Sequence, residues 1–207
     1  LLRVKKTVDY INELRLSDSE EKRLLGNKLA VQYAKWTKTL NLQDFLGFAN
    51  FIQENKAKIG VAQFFGKFRA YAFEEYIYHL LQAKISFPRH LQIFWGEKCL
   101  VWRKGGKGYA MEFDISIGKK INGFVEPNVV FDAKVELDSA RLKTALASFV
   151  ILKRWNSNVK CLLVYVVKDV DSALLELANY WIDGVFRLSL EKDETEALFD
   201  YVAKCFS

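Results

Sequence analysis

Asp114 stands inside one apolar stretch, residues 109–117, and Asp132 and Lys134 stand inside another, residues 128–137. Both stretches are rich in residues that favour β-strands. Side chains two apart on a strand share a face. Asp132, Lys134 and Glu136 therefore fall on one side of the second strand, with Val129, Phe131, Ala133 and Val135 on the other. The same rule groups Ala110, Glu112, Asp114 and Ser116 on the first strand. Charges at such positions are costly to bury unless they are paired or bound to metal. Two carboxylates and a lysine make a coherent chemical set. Carboxylate oxygens suit a hard cation such as Mg²⁺. A cation held there would generate a nucleophile from water and neutralise charge in an in-line displacement at phosphorus. The lysine would place a further positive charge beside the attacking water and the phosphate. A cross-strand ion pair on a solvated sheet face is the alternative.

The elements that must position these residues follow from periodicity. The first 85 or so residues show helical spacing without sustained strand alternation. Val4, Val8 and Ile11 lie on one stripe, and Leu25, Leu29, Tyr33, Trp36 and Leu40 on the next. Ser17 and Glu20 fit a capping box that would start the second helix. Asn41 can start a third helix, carrying Phe45, Phe48 and Ile52, which Gly60 ends. A further helix is expected over residues 61–83. Beyond Pro88 the pattern changes. Strands are expected within 91–102, around Gly96 and Glu97, and over 109–117 and 128–137. Gly118, Gly123 and Pro127 mark the loop between the last two. A helix over 139–155, an apolar strand over 161–167, a helix over 171–181, a strand over 185–190 and a closing helix over 191–206 complete the order. An apolar run such as 161–167 is what a strand buried on both faces requires. The expected class is α/β (α+β): a central mixed sheet flanked by helices over residues 61–207, preceded by a helical appendage over 1–60.

Composition narrows the function classes. Hydrophobic residues make up 51% of the 207-residue chain, enough for a full core, and the net charge of +6 favours a polyanionic partner. The three cysteines, Cys99, Cys161 and Cys205, form no CxxC pair, which argues against a disulfide framework or a structural zinc site. The two histidines, His79 and His90, form no HxH or HExxH arrangement. No apolar run approaches the length of a membrane span, and no apolar signal core follows Arg3, Lys5 and Lys6. A soluble, intracellular (cytoplasmic) protein with no membrane partner is expected.

Acidic-x-Lys triplets occur at Glu20-Glu21-Lys22, Glu54-Asn55-Lys56 and Asp132-Ala133-Lys134, and only the last lies in a strand. It follows a strand-borne aspartate, in Phe113-Asp114-Ile115, eighteen positions before Asp132. Upstream, Phe73-Glu74-Glu75-Tyr76-Ile77 precedes Leu80-Leu81 on an expected helix. This ordered set resembles the PD-(D/E)xK nuclease superfamily over residues 61–190. The resemblance implies a restriction-endonuclease-like fold and a metal-dependent DNA endonuclease that hydrolyses phosphodiester bonds. It implies catalytic roles for Asp114, Asp132, Lys134 and Glu74, with Asp114, Asp132 and Glu74 as ligands of Mg²⁺, for which Mn²⁺ can substitute. Glu75 is the adjacent alternative to Glu74. Cleavage leaving a 5′-phosphate and a homodimer are further implications, because cutting a duplex needs two centres. Restriction-type, junction-resolving, repair, viral and mobile-element nucleases all fit. No proline precedes Asp114, where the name-giving motif has one.

Arg103, Lys104 and Lys107 sit in a glycine-rich turn, Arg103-Lys104-Gly105-Gly106-Lys107-Gly108, that leads toward Asp114. It lacks P-loop spacing but suits DNA-backbone contact, as do Lys119 and Lys120 after the Asp114 strand. Each has a bland alternative as a solvated loop. Lys22, Arg23, Lys28, Lys35 and Lys38 make the N-terminal helices basic, either as a solvated face or as a DNA-gripping arm. Trp36, Trp155 and Trp181 are expected in the core or at an interface, with base stacking as the alternative. Two rivals remain from other classes. A catalytically inactive nucleic-acid-binding protein on the same fold predicts binding without cutting. A nucleotide-binding enzyme would need a GxGxxG after a strand, which is absent.

Overall fold

A computed structural model describes residues 6–105 and 107–206. Val4 of the first expected stripe, and Gly106 of the basic turn, lie outside the described residues. The chain divides into two compact units, Leu1–Leu80 and Leu81–Ser207. The appendage boundary expected at residue 60 falls on Gly60, between two helices.

The N-terminal unit is helical: α1 (Thr7–Arg15), α2 (Glu20–Thr39), α3 (Leu42–Glu54), α4 (Lys56–Ile59) and the body of α5 (Ala62–Lys84). The N-cap of α2 is Ser19, whose hydroxyl accepts from Lys22 N, and not Ser17, whose hydroxyl accepts from Ser19 N. Asn41 caps α3 as expected, accepting from the amides of Gln43 and Asp44. An aromatic core holds the unit together. Trp36 meets Phe45 and Tyr76 edge to face, and Phe45 stacks on Tyr76 at 4.4 Å. Such pairs add to the area term already gained by burying large rings.

Among the described residues of the second unit, seven strands form one mixed sheet: β1 (Gln92–Trp95), β2 (Lys98–Lys104), β3 (Lys107–Glu112), β4 (Ile115–Ile121), β5 (Phe124–Asp138), β6 (Lys160–Asp169) and β7 (Gly184–Arg187). Helices α6 (Ser139–Trp155), α7 (Ser172–Ala178) and α8 (Thr195–Lys204) flank it. The long β5 is the organiser. Its first half pairs antiparallel with β4, which pairs in turn with β1. Its second half pairs parallel with β6, which pairs parallel with β7. The β2–β3 hairpin joins β5 through one parallel bridge, Cys99 to Val125.

Two strand expectations need correction. The stretch 109–117 is not one strand: it breaks at Phe113-Asp114, with β3 paired to β2 and β4 paired to β1 and β5. The loop expected after residue 117 is instead a tight hairpin, so Gly118, Lys119, Lys120 and Pro127 all lie within strands. Its turn is Asn122-Gly123, both at positive φ (50° and 83°), as a two-residue hairpin turn demands. A register shift at Gly118 admits Pro127 opposite it. A Cβ at Gly118 would lie 2.2 Å from the Glu126 carbonyl oxygen, so only glycine fits.

The core of this unit lies between the sheet and α6. Leu142, Ala145, Phe149 and Leu152 of α6 pack with Val130, Cys161, Leu163 and Tyr165 of the sheet. Asp138 caps α6 through Arg141 N, and Asn156 at the far end donates to the Pro127 carbonyl. The helix is thus fastened to both ends of β5. Among the described residues no helix is long and apolar enough to cross a membrane.

Candidate active site

Asp114 occupies the bend between β3 and β4. Its neighbour Phe113 is buried and stacks on Phe149 of α6, with ring centroids 6.3 Å apart and planes 8° from parallel. The Asp114 carbonyl accepts from Gly96 N at 3.0 Å. The bend is therefore anchored from two sides. The last rung of the β4–β5 ladder is Ile115 to Phe131. Beyond it β5 loses its neighbour on that edge, and the amide of Ala133 would be left without a strand partner. The Asp114 carboxylate takes that place: Ala133 N donates to Oδ2 at 2.7 Å. A side chain thus satisfies a backbone donor that the sheet leaves open.

Asp132 and Lys134 lie opposite Leu163 and Tyr165 in the β5–β6 register, on the face covered by α6. Lys134 Nζ lies 3.1 Å from Asp114 Oδ2 and 2.5 Å from Asp132 Oδ1. The structure therefore brings Asp114, Asp132 and Lys134 to one point. All three side chains are partly shielded, at 25%, 15% and 24% exposure. Glu112 and Glu136 do not join them: Glu112 is exposed, and Glu136 pairs with Arg141.

The electrostatics follow from that crowding. Burial, and then the nearby Asp114 charge, push Asp132 up to about 6 against the opposing pull of Lys134. Burial draws Lys134 down, but Asp114 and Asp132 outweigh it and hold the ammonium above its ordinary value. One lysine neutralises only one of two carboxylates. Oδ1 of Asp132 is buried, and beyond its ion pair with Lys134 no donor meets it in hydrogen-bond geometry. An additional cation would offset the remaining negative charge, so the donor set fits a hard divalent ion held by one or two carboxylates and water. Among the described residues no group of three or more His, Cys, Asp or Glu side chains gathers to hold an ion.

Glu74 and Glu75 lie on α5, in the N-terminal unit, and both are buried. Glu75 is committed to structure. Its Oε2 accepts from Thr7 N at 2.9 Å, its Oε1 accepts from Tyr33 O–H at 2.8 Å, and His79 Nε2 lies 3.6 Å from Oε1. Burial would raise its pKa, but the bonds from His79, Thr7 and Tyr33 outweigh burial and hold it below the usual range.

Arg103, Lys104 and Lys107 lie at the tip of the β2–β3 hairpin, exposed and without ion-pair partners among the described residues. Lys119 is exposed on β4. Lys120, beside it, is paired with Glu97 at 2.9 Å and lies over the Phe94 ring. Trp36 is fully buried, as expected, whereas Trp155 and Trp181 are 47% and 44% exposed and lie outside the core.

No protein-family model matches the chain, and no curated protein matches it. Among solved structures, the chain is similar to the native BbvCI A2B2 tetramer determined at low resolution, a restriction endonuclease. The TM-score is 0.55 at 14% identity, over 93% of this chain and 86% of that one. The mixed sheet with flanking helices is a restriction-endonuclease-like fold.

Proposed function

We propose that the protein is a metal-dependent DNA endonuclease of the PD-(D/E)xK type. One observation carries this reading: two carboxylates and a single lysine meet where β4 parts from β5. The similarity to a restriction endonuclease supports it at the level of fold. Asp114 and Asp132 would hold Mg²⁺ or Mn²⁺. When bound, such an ion supplies Lewis-acid assistance and a nucleophile from water. Lys134 places a fixed positive charge beside the phosphate, where it stabilises the extra negative charge of the transition state more than that of the ground state. Asp114 also holds the Ala133 amide, so one residue both shapes the strand edge and donates oxygen to the site. Glu74, with Glu75 as the adjacent alternative, is the further acidic residue that the motif implies. The hairpin cations Arg103, Lys104 and Lys107, with Lys119 and Lys120, would contact the phosphate backbone. A homodimer would supply the two centres that duplex cleavage needs.

The test is incubation of the purified protein with supercoiled, linear and branched DNA, with and without Mg²⁺ or Mn²⁺. The proposal requires cation-dependent nicking or linearisation, with 5′-phosphate ends. Tight, salt-sensitive binding without cleavage under either cation would instead establish a non-catalytic DNA-binding protein.

A further inference from the structure

A groove of about 950 Å³ opens between the β2–β3 hairpin and the outer face of α6. Trp102 and Tyr109 are direct partners across the hairpin, so their rings share one face. A bulge makes this possible. Leu100 pairs with Ala110 but Trp102 pairs with Tyr109, so Val101 is an extra residue on β2. Such a bulge re-aims the side chains that follow it. Across the groove, Ile151, Arg154 and Trp155 lie on one side of α6, and Trp181 closes the end. Trp102, Tyr109, Trp155 and Trp181 are each at least 41% exposed. Large rings seldom stay in water in such number without a partner.

Charge decides what that partner is. No acidic side chain lines the groove, while Lys153 and Arg154 do. Lys153 is neutralised by Asp183 at 2.6 Å. Arg154 has no ion-pair partner among the described residues, nor do Arg103, Lys104 and Lys107 at the open end of the same hairpin. A protein surface covering this face would bury uncompensated cations with the rings. A single nucleic-acid strand would match both features, because its bases stack on aromatic rings and its phosphates meet the cations. A duplex keeps its bases stacked inside and cannot use the rings.

We propose that this groove binds unpaired nucleotides of a single nucleic-acid strand, stacking them on Trp102, Tyr109, Trp155 and Trp181. Asp114, Asp132 and Lys134 are not among the residues that line the groove, so it is distinct from the carboxylate–lysine cluster.

The test uses the full chain in a chelating buffer, so that cleavage plays no part. Fluorescence anisotropy would compare a dye-labelled oligothymidylate, about a dozen nucleotides long to span a typical site, with a duplex of equal length. Trp102→Ala with Tyr109→Ala alters no charge. It should weaken single-strand binding by roughly five- to a hundredfold, the loss of one or two stacked bases, and leave duplex binding unchanged. On the unmutated protein, photocrosslinking with an iodouracil-substituted strand, read by peptide mass spectrometry, should place adducts on the four groove aromatics. Adducts confined to other residues would overturn the proposal, whatever the variants do. Unchanged single-strand affinity would also overturn it. If the paired substitution turns a dimer into a monomer without altering that affinity, a second copy of the chain covers the groove instead.

Discussion

Glu75→Ala should destabilise the helical N-terminal unit severely. Glu75 is 1% exposed, and its carboxylate joins three helices: α1 through Thr7 N, α2 through Tyr33 O–H, and its own α5. Truncation strands the buried Thr7 amide and the partly buried Tyr33 hydroxyl. An orphaned donor costs about 1–3 kcal/mol when fully buried and less when partly wet, so the loss should be about 2–4 kcal/mol. That is a large part of the roughly 5–15 kcal/mol that holds an ordinary domain. Glu75→Gln keeps one oxygen acceptor but turns an N–H₂ toward the second donor, and should lose about half as much. The sign of the pH effect follows from the lowered carboxyl pKa. Glu75 contributes stability that is present above its unfolded value of 4.5 and lost as pH falls through the lower folded value. The gap between wild type and Glu75→Gln should therefore hold steady near neutrality and shrink as pH falls below about 4.5. Urea unfolding followed by helical circular dichroism at several pH values measures all three quantities. A Glu75→Ala protein as stable as wild type would refute the assigned role and reopen Glu75 as a functional carboxylate.

Asp114→Asn should accelerate hydrogen exchange at the Ala133 amide, because a weaker neutral acceptor replaces the charged one at 2.7 Å; unchanged exchange would mean another group holds that strand edge. Glu74→Gln should cut cation-dependent cleavage, whereas full activity would remove Glu74 from the site. Lys104→Ala with Lys107→Ala should weaken binding to all duplex sequences alike and flatten the salt dependence by roughly one to two units of slope. A loss confined to one sequence would instead indicate base readout.

The carboxylate–lysine pattern was legible because strand alternation places residues two apart on one face, and Asp132 and Lys134 obey it on β5. The break at Phe113-Asp114 was not legible. A lone aspartate within an apolar run is a weak turn signal, and the separation of β3 from β4 is imposed by their different partners across the sheet. The Asn122-Gly123 turn was written in the sequence as a hairpin signal. Gly118 and Pro127 suggested a wider loop, because a proline facing a bulged glycine inside a strand pair looks like punctuation. Ser17 and Ser19 offered two caps two residues apart, and only the backbone geometry selects Ser19. Trp155 and Trp181 show a limit of amphipathic reading. An apolar stripe identifies a face that avoids water, but not whether that face meets the core or an open groove. Glu74 and Glu75 are indistinguishable by spacing, and the hydrogen bonds from Thr7 and Tyr33 give Glu75 a structural role that its position in the sequence does not announce.

Cleavage of supercoiled plasmid by wild type, Asp132→Ala and Lys134→Ala, titrated with Mg²⁺ and paired with DNA affinity measured in chelator, tests the central claim most directly. Wild type should cut only with the cation. Each variant should lose at least about a hundredfold in rate, the scale of removing one electrostatic stabiliser of a transition state, while folding and DNA affinity stay close to wild type. Asp132→Ala protein that cuts at the wild-type rate would contradict the assignment of Asp114, Asp132 and Lys134 as the active centre.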